Sequence, residues 1–405
     1  MQRSLEAKAR GARRRATEDS LIPLFSYGFR PFFLGAGIWA VIVMALWVGS
    51  LAGLWRLGDG YGALAWHAHE MLFGYSLAVV AGFLLTAVPN WTGRFPVTGW
   101  RLLLLFLLWC AARVAFLATG LIGPLPAVLI DSLFLPCLLL IMAREVVVGR
   151  NWRNVKLLIL VAILAAADIG FHVEVWNTGD SITASRVGVA TLIGLIMLIG
   201  GRIVPSFTHT WLLRRGGEHL PVLFNRFDFV VLLVSAIALV TWIFAPDSDA
   251  TGVSFLFAAI LQTVRLWRWA GPYAWREPLV LVLHLGYAFV PLGFLLGAIS
   301  IFDPHTLAGT AAMHAWTVGA IGIMTLAVMT RATRGHTGRE LTASALTIAT
   351  YTAVITSSVL RVIAGALPQA YGSLLEFAGI AWIAAFCLFL LEYAPMLLGP
   401  RLARS

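Results

Sequence analysis

Two histidines separated by a single residue, His67 and His69, stand in the segment WHAHEM at residues 66–71. On a helix their side chains would point about 200° apart, so they cannot comfortably bind one metal ion together. The spacing suits two centres on opposite faces of the helix, or one ligand and one hydrogen-bonding partner. Met71 lies one turn beyond His67, and ligation of haem by a His/Met pair is chemically possible. Glu70 is a candidate catalytic carboxylate that could relay protons.

A second carboxylate and a third histidine, Asp168 and His172, stand four residues apart. This spacing places the two side chains next to each other on one face of a helix. A carboxylate in that position fixes the tautomer of a metal-binding histidine and raises its basicity. A buried structural pair would show the same spacing. We therefore take His172 as a candidate ligand and Asp168 as a candidate catalytic or supporting carboxylate.

The composition indicates that lipid surrounds these residues. Hydrophobic residues make up 60% of the 405 residues and charged residues 12%, which leaves too few polar side chains to cover a globule in water. A formal net charge of +10 would suit nucleic acid only on a clustered basic face of a soluble domain, and the sequence predicts no such domain. The three cysteines stand singly in apolar runs, where core packing is their expected role.

Apolar runs long enough to cross a bilayer recur along the chain. About 20 helical residues span roughly 30 Å of hydrocarbon, and backbone that faces lipid must satisfy its hydrogen bonds within a helix. We therefore predict an all-α, polytopic membrane bundle of twelve transmembrane helices. The predicted spans are residues 32–54, 66–89, 101–120, 124–148, 155–176, 186–211, 227–245, 251–270, 278–302, 307–330, 341–366 and 371–395.

Basic residues alternate between the connections of these spans, and they favour the cytoplasmic side of a membrane. The N-terminal tail and every second connection are rich in Arg, whereas the intervening connections carry acids such as Asp59, Asp180 and Asp303. The pattern predicts that both ends lie in the cytoplasm and that lipid surrounds the spans. In a bacterium this membrane would be the inner one. We predict a basic cytoplasmic arm over residues 1–25 and a single twelve-helix domain over residues 26–405.

The predicted spans bring four histidines to one depth. His67, His69, His172 and His314 all lie near the predicted outer boundary, on three helices, and the rise of 1.5 Å per residue places His314 about 10 Å inside it. Imidazoles at a common depth suit a haem or copper centre, so we predict all four as ligands. His284 lies about 25 Å from the outer face by the same rise, where it would serve a second centre or a proton path.

Cations and hydrogen-bond donors gather at the predicted inner ends of the helices. Arg94, Arg202, Arg331 and His336 could bind a haem propionate, a quinone headgroup or a lipid phosphate. Anchoring of the helix ends by the positive-inside rule is the simpler interpretation of the arginines.

Long segments of the chain resemble the NnrS family, which comprises haem- and copper-containing bacterial membrane proteins associated with the nitric oxide response. The matching segments are FSYGFRPFFLGAGIWA, WHAHEMLFGYSLAVVAGFLLTAVPNWTGR, IGGRIVPSFT, LHLGYAFVPLGFLLG and MHAWTVGAIGIMTLAVMTRATRGHTGR. They extend from the first predicted helix to the tenth. The resemblance implies haem and copper as cofactors, and we expect the haem to be of b type. It places functional residues at His67, His69, Glu70, Asn90, Trp91, Arg94, His172, Arg202, His284, His314, Arg331 and His336.

These observations favour a haem- and copper-binding membrane protein that protects against nitric oxide, with reduction of nitric oxide as one route and a quinol or cytochrome as electron donor. One alternative is a twelve-helix secondary transporter, for which Pro89, Pro205 and Pro291 would supply helix breaks. Another is a sensor that binds nitric oxide without turnover. The sequence contains no Walker loop, dinucleotide fingerprint or HExxH motif in a suitable context, and we predict no nucleic-acid partner.

Overall fold

A computed structural model describes residues 22–402, which form helices and connections and contain no strand. Twelve helices in this range are long and apolar enough to cross a membrane. We label them α1 Phe29–Leu51, α2 Ala63–Thr92, α3 Trp100–Leu117, α4 Pro124–Val148, α5 Trp152–Thr178, α6 Ile182–Arg214, α7 Arg226–Phe244, α8 Asp249–Trp267, α9 Pro278–Phe302, α10 Gly309–His336, α11 Ala345–Ala364 and α12 Pro368–Leu398.

The predicted all-α bundle of twelve spans is confirmed, and the helix ends differ from the prediction by a few residues. Helix α10 continues to His336, six residues beyond its predicted end, because a helix does not have to stop where its apolar stretch stops. Helix α11 begins four residues later than predicted, after Ser344, whose side chain accepts a hydrogen bond from the backbone N–H of Thr347. Such a cap favours the start of a helix at that point.

The predicted division at residue 25 falls almost entirely outside the described residues. Of the proposed arm the structure describes only residues 22–25, where Pro23–Phe25 forms a short 3-10 helix before α1. The arm and the single-domain boundary therefore stay predictions.

The helices differ in how much of their surface the bundle encloses. In α2, 78% of the most apolar stretch is buried, compared with 28% in α7. Helix α7 exposes Phe229, Val230 and Leu233, and a contiguous apolar surface of this kind suits contact with lipid. Helix α2 packs against α1, α4 and α6. The histidine-bearing segment WHAHEM is therefore in the interior of the bundle.

The two ends of the bundle differ in charge. The connections after α1, α3, α5, α7, α9 and α11 contain a single arginine, Arg56, and we call the end where they lie the Arg-poor end. The connections after α2, α4, α6, α8 and α10 contain Arg94, Arg150, Arg215, Arg268, Arg276 and Arg339, and we call theirs the Arg-rich end.

Two of the central helices contain π-helical segments directly after a histidine. In α2 the segment is Glu70–Tyr75, which follows His69, and in α10 it is Ala315–Ile323, which follows His314. Helix α4 is interrupted at residues 132 and 133, directly after Asp131. Local departures from α-helical geometry occur frequently at functional sites. The two π-helical segments and the interruption of α4 lie in the part of the bundle where polar side chains come together.

Candidate metal centre

Four buried side chains from α2, α4 and α5 converge near the Arg-poor end. They are His69, Asp131, Asp168 and His172, and one ligand atom from each lies within 4.8 Å of the other three. None of the four residues is more than 4% exposed. At a rise of 1.5 Å per residue they lie about 9 to 15 Å inside the ends of their helices. The arrangement is a compact set of metal-ligating groups inside the bundle.

The ring nitrogens of the two histidines face the two aspartates. Nε2 of His69 lies 3.1 Å from Oδ2 of Asp131 and 3.1 Å from Oδ1 of Asp168. Nε2 of His172 lies 3.2 Å from Oδ2 of Asp131 and 3.9 Å from Oδ1 of Asp168. Two nitrogens and two oxygens therefore surround one point. The i, i+4 pair of Asp168 and His172 does share a helix face, although Asp131 is the closer partner of His172.

A second layer of charged groups holds the centre in place. Oε1 of Glu70 lies 2.9 Å from Nδ1 of His69, and Oε2 accepts a hydrogen bond of 2.7 Å from Nη1 of Arg113. Arg113, on α3, also forms an ion pair with Asp131. A carboxylate that accepts the Nδ1 proton of a histidine leaves Nε2 free to bind a metal. Glu70 is therefore placed to orient His69.

The charges of this buried group do not balance by themselves. With neutral imidazoles, the carboxylates of Glu70, Asp131 and Asp168 carry three negative charges, and Arg113 carries one positive charge. The remaining two negative charges would be costly in a low-dielectric interior. A divalent cation between the histidines and aspartates would neutralise them. Both the donor atoms and the charge therefore suit a metal ion.

Tyr61, in the connection before α2, closes the centre from the Arg-poor end. Its hydroxyl lies 2.8 Å from Nδ1 of His172. Burial, together with the neighbouring Asp131, raises the pKa of the Tyr61 phenol well above its usual range, so the phenol stays protonated. When Nε2 of His172 binds a metal, the ring proton must be on Nδ1, where the phenolic oxygen can accept it.

Phe116 and Phe171 pack against both histidine rings.

We expect Tyr61→Phe to weaken metal binding without preventing folding. The substitution removes the oxygen that orients His172, and the loss of such a partner typically lowers metal affinity roughly 10- to 100-fold. Metal titration of the purified variant in detergent measures the change. Tyr273→Phe is the matched control, because Tyr273 is half exposed in a connection at the Arg-rich end. Equal affinities for the Tyr61→Phe variant and the control would contradict the assigned role.

His67 and His69 point to different neighbourhoods, as their spacing predicted. The ring of His67 stacks on that of Trp47 with centroids 4.3 Å apart. His67 interacts electrostatically with His314 and Arg361. The four histidines at one predicted depth thus form two pairs, His69 with His172 and His67 with His314.

The fifth candidate histidine, His284, lies apart from both pairs. Its Nε2 is 2.8 Å from the hydroxyl of Thr208 on α6, and Trp269 packs edge-on against its ring. Its neighbours belong to the Arg-rich half of the bundle. Placed there, His284 does not take part in the cluster of His69 and His172.

The four inner-side candidates lie in separate environments. Arg94 forms an ion pair of 2.5 Å with Glu145, and Arg331 lies over the ring of Phe207 at 4.1 Å. His336 stacks on Tyr27 with centroids 5.6 Å apart. Arg202 is on the exposed face of α6. Their separate contacts do not define one shared pocket.

Sequence reasoning did not single out Asp131, Arg113 or Tyr61 as site residues. Asp131 and Arg113 lie inside predicted spans, where an ionisable side chain is by itself a sign of function, so that signal was available. Tyr61 gave no comparable signal, because a tyrosine in a connection is unremarkable until the fold places it above His172.

The centre suits a bare metal ion better than haem. Nε2 of His69 and Nε2 of His172 lie 3.1 to 3.9 Å from carboxylate oxygens of Asp131 and Asp168, and a gap of this size admits an ion but not a porphyrin ring. A cavity of about 80 Å³ between α2, α6 and α10 is lined by apolar side chains with Ser76 and Thr325 and contains no histidine. His314 is better placed for haem: its Nδ1 lies 2.7 Å from the carbonyl oxygen of Thr310, which leaves a lone pair on Nε2.

Twelve membrane-spanning helices around a buried group of two histidines and two aspartates define a polytopic membrane protein with a candidate metal centre. The family model of the NnrS protein matches residues 23–401, and the chain belongs to that family. The resemblance seen in the sequence segments is thereby confirmed over nearly the whole chain. No curated protein matches the chain.

Proposed function

We propose that this protein is a metal-containing membrane protein of the nitric oxide response. The observation that supports the proposal is the convergence of His69, Asp131, Asp168 and His172 on one buried point. Membership of the NnrS family supports the link to nitric oxide, because the resemblance implies that role. Nitric oxide is the proposed small-molecule ligand.

The donor set narrows the choice of metal. Two imidazole nitrogens and two carboxylate oxygens suit divalent copper, iron, manganese or zinc. Of these, copper and iron change oxidation state and bind nitric oxide, so we propose one of them, and copper is the metal implied by the family resemblance. A metal bound here would supply a site for nitric oxide and for electron transfer. Haem, of b type, is proposed separately at His314, with His67 as its neighbour.

The surrounding residues hold the centre and its protons. Glu70 accepts the Nδ1 proton of His69 and is itself held by Arg113. The phenolic oxygen of Tyr61 accepts the Nδ1 proton of His172 in the same way. Reduction of two molecules of nitric oxide to nitrous oxide and water consumes two electrons and two protons. Glu70 is proposed as the carboxylate that passes protons toward the centre, and a quinol or a cytochrome as the electron donor.

The decisive experiment is purification in detergent followed by metal analysis and absorption spectroscopy, with and without nitric oxide. We expect about one copper or iron ion per chain besides any haem iron, and a spectral change when nitric oxide is added. Electron consumption during multiple turnovers would identify an enzyme, whereas binding alone would identify a sensor. Protein with neither bound metal nor a response to nitric oxide would overturn the proposal.

A secondary transporter is less well supported by the geometry. Transporter sites lie near the membrane midplane between broken helices. The helix breaks expected at Pro89, Pro205 and Pro291 do not form, because α2, α6 and α9 continue as helices through these residues. The break in α4 after Asp131 lies instead beside the four-residue cluster, whose donor atoms suit a metal ion.

We propose that the Arg-rich end faces the cytoplasm of a bacterial cell, with the protein in the inner membrane. Basic connections remain on the cytoplasmic side during insertion. Reporter fusions after Asp59, Asp180 and Asp303 should then be active outside the cytoplasm, and fusions after Arg150 and Arg215 inside it. Reversed activity at two adjacent connections would contradict this orientation.

A further inference from the structure

Arg361, near the end of α11, is a buried cation with an unused donor. The residue is 8% exposed. Its Nη2 donates a hydrogen bond of 3.3 Å to the hydroxyl of Tyr371, while Nη1 is buried and has no hydrogen-bond partner among the described residues. Guanidinium N–H groups without a partner are costly to bury. The environment of Arg361 is therefore incomplete.

No carboxylate of the described chain forms an ion pair with Arg361, in contrast to three other buried arginines. Arg113 pairs with Glu70 and Asp131, Arg265 with Asp228, and Arg334 with Glu392. A membrane interior penalises an uncompensated charge. The contrast with Arg113, Arg265 and Arg334 indicates that Arg361 is neutralised by an anion that is not part of the described chain.

Two histidines lie at the same depth as this arginine. The start of α10 packs on the end of α11, where a Cβ added to Gly365 would lie 2.6 Å from the Cβ of Ala311. Arg361 is about one turn from Gly365, and His314 is about one turn from Ala311, in the same direction along the bundle. Both histidines of the second pair, His67 and His314, interact electrostatically with Arg361.

Their ring nitrogens have different roles. Nδ1 of His67 is buried and makes no hydrogen bond within the described part of the chain, so it can donate to a bound ligand. Nδ1 of His314 already donates to the carbonyl of Thr310, so its Nε2 is an acceptor. The donors left for an anion are therefore Nη1 of Arg361 and Nδ1 of His67, whereas neutral His314 offers none.

We propose that Arg361 and His67 form a binding site for a small, singly charged anion. A guanidinium supplies charge and directed donors for an oxyanion, and the imidazole of His67 supplies one more donor. Trp47 stacks on one face of that imidazole, which limits the size of the ligand. Arg361, His67 and His314 lie about 5 to 8 Å from their helix ends, within reach of ions dissolved at the Arg-poor side. The inference goes beyond the proposed metal centre of His69 and His172, with which it shares no residue, and it places the anion next to His314, where haem is proposed.

The test is isothermal titration calorimetry of the purified full-length protein with sodium nitrite, in a buffer whose only other anion is gluconate. We expect wild-type protein to bind nitrite and Arg361→Gln to bind it at least tenfold more weakly. Arg361→Lys, which keeps the charge, should retain part of the affinity. Arg186→Gln is the control, since Arg186 is a partly exposed arginine on α6 near the same end.

A haem propionate is the alternative anion that could neutralise Arg361. Haem measurements on the same purified wild-type and variant proteins distinguish the two. The haem content of each variant is measured from its Soret absorbance, and its folding by gel filtration and circular dichroism. Nitrite binding that is lost in Arg361→Gln while haem content stays unchanged would support the anion site. Absence of nitrite binding in wild-type protein, or release of haem from a folded Arg361→Gln variant, would overturn it. The metal content of the His69 centre is a separate readout, so either proposal can fail without the other.

Discussion

Substituting His69 or His172 with Gln should abolish stoichiometric binding of the metal ion at the proposed centre. Each substitution removes a nitrogen that faces both aspartates, and glutamine does not replace an imidazole as a ligand of comparable strength. The loss should exceed the roughly 10- to 100-fold effect that follows removal of an outer partner such as Tyr61. Asp168→Asn should produce a loss of the same class, because it removes a ligating charge.

Metal analysis of purified variants checks this prediction, with haem iron counted separately from the Soret absorbance. The control is His305→Gln, since His305 is an exposed histidine in a connection at the same end of the bundle. If the His69, His172 and Asp168 variants all keep their full metal content, the assignment of the metal centre to these residues is wrong.

The second large effect concerns Arg113, whose loss should destabilise the protein more than the loss of any single ligand. Arg113→Met leaves Glu70 and Asp131 buried without their cation. Removing one partner of a buried ion pair typically costs about 3 to 5 kcal/mol. Thermal or denaturant unfolding in detergent should show the change. We expect a partial recovery in the double variant Arg113→Met/Glu70→Gln, because one of the two unpaired carboxylates is then neutral.

Arg94→Gln provides the comparison for Arg113. The side chain of Arg94 is 32% exposed in its ion pair with Glu145, and water compensates much of the charge at such a position. If Arg94→Gln loses as much stability as Arg113→Met, the buried ion pairs around Glu70 contribute no more to the free energy of unfolding than a partly exposed pair does.

The twelve helices were predictable because length and hydropathy are properties of each segment alone. The opposite directions of His67 and His69 also follow from helix geometry within a single segment. The pairing of His69 with His172 depends on α2 lying against the neighbourhood of α4 and α5, and no spacing along the chain encodes that contact. Asp131 shows the same limit: a single aspartate in an apolar run indicates function but does not reveal its partners. Tyr61 becomes relevant only after the connection folds over His172.

The π-helical segments after His69 and His314 allow α2 and α10 to lose one residue without turning their histidines. A π turn closes hydrogen bonds over five residues instead of four, so it accommodates one extra residue in an otherwise α-helical span. Deleting one residue from positions 71–75 would restore regular α-helix at that turn, and His67 and His69 would keep nearly the same direction relative to the rest of α2. A deletion in a helix with no π turn to absorb it would instead rotate one side of the helix by about 100° relative to the other. Relatives with a single-residue gap in the π segment should therefore retain both the membrane bundle and the histidine pairs.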